Sequence, residues 1–175
     1  MKLVIVRHAI AEDRREFEAT GHDDALRPLT EEGREKMRQA VRGLSAVLPG
    51  IDVLASSPLV RASQTAGLIA EAYHGVATCT IDELRPEANG SEFLRWLRAR
   101  TIEGAEVVAA VGHEPHLGHL ASWLLTGREE PFISLKKGGA LLLDFGEFLQ
   151  AGLPRLVWSL TPKLLRALGE ASARD

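Results

Sequence analysis

Four short runs rich in apolar and β-branched residues (Leu3–Val6, Ile51–Ala55, Val76–Ile81 and Val107–Val111) each give way to a stretch with helical spacing. No other feature of the chain narrows its fold as much. A continuous apolar run such as Leu3-Val4-Ile5-Val6 has no polar face, so it predicts a strand covered on both sides. The intervening segments carry helix signals. Thr30 precedes Glu31 and Glu32 as an N-cap, and Met37, Ala40, Val41, Leu44, Val47 and Leu48 then recur at helical spacing until Pro49-Gly50. Ser57-Pro58 reads as an N-cap with proline at the first helical position, followed by an apolar face of Leu59, Ala62, Ala66 and Ile69. Further helices are expected from Ser91 to about Arg100 and from Pro115 to about Leu125, where Thr126-Gly127 ends the pattern. Strands alternating with helices imply a parallel sheet between two helical layers.

The last third breaks the alternation. Ala140–Phe145 and Leu156–Leu160 read as strands joined by a Gly-containing loop with no helix between them, which suits antiparallel pairing. Thr161-Pro162 opens a final helix through Leu164, Leu165 and Leu168, with a frayed tail expected after about Gly169. The fold class is therefore α/β, three-layered, with a mixed but mostly parallel sheet flanked by helices. The 175 residues suffice for one domain spanning 1–175, large enough to bury a core without disulfide or metal.

Charge and composition remove several classes of function. A net charge of −3 supplies no broad positive field, which argues against nucleic acid as a partner. The apolar start ends at Arg7-His8, too short for a signal or membrane segment, so no membrane association is expected. Cys79 is the only cysteine, which fits a reducing cytoplasm. It lies in a strand without a neighbouring base and reads as a small packing residue.

Three segments place Arg or His just past a strand end or at a helix start: Val6-Arg7-His8-Ala9, Ser56-Ser57-Pro58-Leu59-Val60-Arg61-Ala62-Ser63-Gln64-Thr65, and Val111-Gly112-His113-Glu114-Pro115. In open α/β sheets ligands collect at the carboxyl ends of the strands, so these segments can converge on one pocket. Two arginines, two histidines and a helix N-terminus together describe an anion site. No acidic cluster suited to Mg²⁺ accompanies them, so neither a metal nor another cofactor is expected.

These segments, with Arg27-Pro28-Leu29-Thr30-x-x-Gly33 and Thr161-Pro162-Lys163, resemble the histidine phosphatase superfamily, and within it the small phosphohistidine phosphatases of the SixA type. The resemblance spans nearly the whole chain and implies a phosphoglycerate mutase-like fold. It makes His8 the nucleophile that carries a transient phosphoryl group, and Arg7, Arg61 and His113 the rest of the phosphate pocket. It also implies a phosphorylated protein as partner, such as a histidine phosphotransfer domain, or else a small phosphorylated substrate.

Two departures from the wider family bear on substrate. Ala9 stands where the Arg-His-Gly signature has glycine. In Leu84-Arg85-Pro86, proline occupies the position of a glutamate that serves many members as general acid. An alkoxide leaving group needs that proton more than an imidazole does, so phosphohistidine is favoured over phosphate esters. Glu114, beside His113, is a possible substitute acid; Glu83 and Glu87 are others. A phosphatase or mutase for small phosphate esters is the alternative enzyme, and a phosphate-sensing module without turnover is the alternative of another class.

Other residues read as structural. His116 and His119 follow His113 at three-residue steps and suit packing or the pocket rim better than metal binding. Trp96, Trp123 and Trp158 fall in apolar stripes and are expected in the core, Ser57 and Thr30 are caps, and Gly33 is structural. Arg14, Arg15 and Glu16 belong to a solvated loop from Glu12 to Asp24, and the sequence leaves open whether that loop covers the pocket.

Overall fold

A computed structural model describes residues 1–172. Its six strands form one sheet in the order β3-β2-β4-β1-β5-β6, with β1 at Lys2–Arg7, β2 at Val53–Ser56, β3 at Ala77–Thr80, β4 at Val107–Gly112, β5 at Ala140–Asp144 and β6 at Arg155–Leu160. The pairs β2–β3, β2–β4 and β1–β4 are parallel. The pairs β1–β5 and β5–β6 are antiparallel, with a register shift between Leu142 and Leu143. The mixed, mostly parallel sheet is the one expected, and the last two strands pair as the helix-free loop between them suggests.

Helices cover both faces. One carries α2 (Glu31–Val47), α3 (Val60–Ala72) and α6 (Pro162–Ser172), packed on Val4, Val6, Leu54, Ala109 and Leu142; the other carries α4 (Gly90–Ile102) and α5 (His116–Thr126), packed on Leu3, Ile5, Ala55, Val108 and Leu141. Successive β1 residues thus enter opposite cores, which is why Leu3 to Val6 is apolar throughout, each residue fully buried. The α2–α6 contact depends on Gly43, where a Cβ would fall on the Leu165 carbonyl oxygen.

Several elements differ from the sequence reading. Between Glu12 and Asp24 lies a short helix, α1 (Arg14–Ala19), capped by Asp13, followed by a 3₁₀ turn at Asp24–Leu26. Six residues without a buried side chain give no hydrophobic period to detect. Ser57 is not the cap of α3: the N-cap is Leu59, without a side-chain bond, and the helix begins at Val60. Ser57 instead extends the sheet, its N–H donating to the Val111 carbonyl at 2.9 Å. Trp96, Trp123 and Trp158 are half-buried at the margins of the two cores rather than inside them. The final helix continues past Gly169 to Ser172; the part of the expected frayed tail at 173–175 lies outside the described residues.

Candidate active site

The sheet order brings the carboxyl ends of β1, β4 and β2 side by side, with Arg7 in register with Gly112 and Ser56 with Val111. His8 follows β1, Ser57 follows β2 and His113 follows β4, so three segments far apart in sequence meet at one edge. Arg61 comes from the first turn of α3, whose side chains lean back toward the helix start. Arg7, His8, Arg61 and His113 all line one cavity of about 620 Å³. The rings of His8 and His113 lie 5.1 Å apart, centroid to centroid.

The side chains of Arg7, His8 and Arg61 are held by the surrounding backbone. Arg7 Nη1 donates to the Leu135 carbonyl at 2.7 Å. His8 Nδ1 lies 2.7 Å from the Ala9 carbonyl, an acceptor, so Nδ1 carries the proton and Nε2 keeps its lone pair. The Ala9 N–H donates to Thr65 Oγ1 at 3.1 Å, and that hydroxyl donates to the Arg61 carbonyl at 2.7 Å, tying the His8 loop to α3. No non-glycine residue described has positive φ, so Ala9 fits where the wider signature has glycine. Gly33, by contrast, is required: a Cβ there would collide with the Ile10 carbonyl, because α2 starts directly against the loop after His8.

Three buried nitrogens of this quartet, Arg7 Nε, Arg61 Nε and His113 Nδ1, have no hydrogen-bond partner. Buried donors are normally satisfied, and several orphaned together mark the place of an anionic ligand. The other His113 nitrogen, Nε2, lies 2.9 Å from Ser57 Oγ. Burial, reinforced by neighbouring cations, keeps both rings neutral. His8 is lowered to about 3 by desolvation first, with Arg61 and Arg7 adding to it and the Ala9 bond opposing. His113 is lowered to about 3 by desolvation, then by His8 and Arg61.

Glu114 reaches the same cavity, but its Oε1 accepts from the Leu135 N–H at 2.7 Å. It thereby braces the segment whose carbonyl holds Arg7. The three spaced histidines are divided: His113 lines the cavity with Arg7, His8 and Arg61, whereas buried His116 and exposed His119 line a neighbouring groove of about 760 Å³ that shares only Pro86 and Pro115 with it.

Sequence reasoning missed Asp24, Arg27 and Lys137, which also line the cavity, as do Glu12, Asp13 and Arg14. The segment read as a solvated loop is thus one wall of the site. Asp24 Oδ2 pairs with Arg61 Nη2 at 3.1 Å and Oδ1 with Arg27 Nε at 2.7 Å; those arginines hold its carboxyl below the usual range against the desolvation that opposes them. Arg27 stood in a quoted motif without a role. Lys137 sits in Lys136-Lys137-Gly138-Gly139, a basic turn outside the motifs singled out in the sequence.

The family model described as histidine phosphatase superfamily (branch 1) matches residues 3–93. An uncharacterised protein of Picosynechococcus sp. is 32% identical over 146 residues, covering 83% of this chain and 86% of that one. Phosphohistidine phosphatase SixA of Escherichia coli K12 is 25% identical over 163 residues, covering 93% and 94%. Among solved structures, the protein histidine phosphatase SixA complexed with tungstate aligns with a TM-score of 0.77 at 25% identity, covering 93% of this chain and 98% of that one.

Proposed function

Since the chain belongs to the histidine phosphatase superfamily, branch 1, we propose that it is a phosphohydrolase that removes the phosphoryl group from phosphohistidine in a phosphotransfer protein, through a phosphoenzyme at His8. The observation that carries this reading is the set of orphaned donors, Arg7 Nε, Arg61 Nε and His113 Nδ1, gathered around a histidine whose Nε2 is unprotonated.

The chemistry follows in two displacements. His8 Nε2 attacks phosphorus in line while the substrate P–N bond breaks, its electron pair returning to the departing imidazole. Arg7 and Arg61 donate to the non-bridging oxygens, where the transition-state charge resides. His113 donates from Nδ1, and the arriving phosphoryl dianion favours its protonation. Water then attacks phosphorus, and the His8–P bond breaks with its electron pair returning to Nε2. The proton stays on Nδ1, donated to the Ala9 carbonyl throughout, so His8 needs no proton transfer in either half.

Two engaged carboxylates support a nitrogen leaving group. Asp24 is held by Arg61 and Arg27, and Glu114 by the Leu135 N–H, so neither is set up as a protonated donor toward an alkoxide. A phosphohistidine ring protonated at its other nitrogen leaves as neutral imidazole and needs no such donor. The similarity to SixA agrees with this substrate.

The test compares hydrolysis of a phosphorylated histidine phosphotransfer protein with that of sugar phosphates, and isolates the phosphoenzyme. Preference for the phosphoprotein and an acid-labile, alkali-stable label lost in His8→Ala are expected. Faster turnover of the esters would assign the chain to phosphate-ester chemistry, and vanadate binding without any turnover would leave a sensing module.

A further inference from the structure

We propose that Lys137 is a further ligand of the transferred phosphoryl group, its ammonium serving the non-bridging oxygens beside Arg7 and Arg61. This rests on the phosphatase reading of the site. The position is built rather than incidental. The Gly138 N–H bridges to the carbonyls of both Arg7 and His8 at 3.1 Å, and the Gly139 carbonyl accepts the Arg7 N–H at 3.1 Å. The turn that bears Lys137 therefore clasps the strand end that bears the nucleophile, and Lys137 lines the same cavity as the quartet.

The charge around Lys137 calls for an anion. Among the described residues no carboxylate lies within ion-pairing distance of its ammonium, whereas Arg61 and Arg27 both have Asp24. Burial lowers its proton affinity, Arg7, Arg27 and Arg61 lower it further, and only Asp13 opposes them. Like charges brought together in a partly desolvated pocket destabilise it unless a ligand of opposite sign completes the arrangement. A phosphoryl dianion does so, and Lys137 supplies it with a mobile point charge from a turn separate from α3. Lys137 is itself exposed, as a ligand at the mouth of the cavity must be before substrate arrives, and its turn is anchored through Gly138 and Gly139 to Arg7 and His8.

The test is vanadate binding by calorimetry to the full chain, in wild type, Lys137→Met and Lys137→Arg, with melting curves for all three. Loss of one charge-assisted contact predicts vanadate binding weakened about 10- to 100-fold in Lys137→Met. Lys137→Arg, which keeps the charge, recovers most of it; a purely structural role for the side chain would not predict that order. Lys137→Met binding vanadate within about twofold of wild type overturns the assignment while leaving the phosphatase reading intact. A wild-type chain that binds no vanadate overturns the phosphatase reading itself, and this assignment with it.

Discussion

Replacing Ser57 with alanine removes one hydroxyl that never touches substrate, yet the geometry predicts a kinetic defect. Ser57 is fully buried, its Oγ 2.9 Å from His113 Nε2 and 3.4 Å from the Leu59 N–H. The hydroxyl accepts from Leu59 and keeps its own proton to give; as donor to Nε2 of a neutral His113 it leaves the ring proton on Nδ1, the tautomer that the proposed mechanism uses. Without that hydroxyl the proton is free to sit on Nε2, turning a lone pair toward the anion and losing a charge-assisted hydrogen bond of about 1.5–3 kcal/mol. If substrate instead forces the productive tautomer, Nε2 is left buried and unsatisfied, at a cost of about 1–3 kcal/mol. Either route lowers kcat/KM by roughly 5- to 150-fold. The assay is phosphoramidate hydrolysis beside long-range ¹H–¹⁵N spectra of His113, which report the nitrogen that carries the proton. A melting temperature lower by only a few degrees is expected, since one buried hydrogen bond contributes about 1 kcal/mol. A folded Ser57→Ala protein with kcat/KM within twofold of wild type, or with His113 still protonated at Nδ1 in the free state, would refute the reasoning.

Three further outcomes follow from the same coordinates. Glu114→Gln keeps an oxygen to accept the Leu135 N–H and should retain activity within about threefold, whereas loss of a general acid would cost roughly 10²–10⁴-fold; steady-state kinetics decide between a brace and an acid. Gly33→Ala places a methyl group against the Ile10 carbonyl and should destabilise the fold by about 1–3 kcal/mol or more in urea titration, with near-wild-type stability ruling out the close approach. Stability should fall as pH drops from about 6.5 toward about 3, because the unfolded chain protonates His8 and His113 near the ordinary histidine value while the folded chain resists until about 3. Melting curves should show the decline in wild type and a flatter profile in a His8→Asn, His113→Asn variant; a wild-type profile level from pH 7 to pH 4 would contradict it.

The strands β1, β2, β4 and β5 and the long helices were legible because each buries apolar residues in a run or at the helical period. The double-sided burial of β1 is written in four consecutive apolar residues, and Thr30 with Glu31 and Glu32 marks the start of α2 as the structure has it. The convergence of Arg7, His8, Arg61 and His113 on one cavity was legible because all four follow strand ends or open a helix. What escaped has a common physical cause: it depends on partners distant in sequence. Ser57-Pro58 carries every local sign of a helix cap, but its hydroxyl is engaged by His113, 56 residues away. The segment with α1 has no buried side chain to give it a period, and it matters only because Asp24 reaches Arg61 across 37 positions. Lys137 carries no local motif, and its place at the cavity depends on Gly138, bonded to the backbone of Arg7 and His8 at the far end of the chain.

The electrostatics of the site serve binding and chemistry at once. Burial, Arg61 and Arg7 depress His8, so the ring is neutral and nucleophilic over the whole physiological range. In the proposed mechanism the same two arginines, which line the cavity beside His8, serve the phosphoryl oxygens. When the dianion arrives it offsets their charge, and the suppression of His8 weakens at the moment its nitrogen must take on positive character by bonding to phosphorus. A ring kept neutral by a distant structural cation would gain nothing from substrate binding. In the proposed mechanism the share of that suppression due to Arg61 and Arg7, rather than to burial, is thus relieved by the phosphoryl group itself, and the Nδ1 proton held at the Ala9 carbonyl fixes which nitrogen receives it.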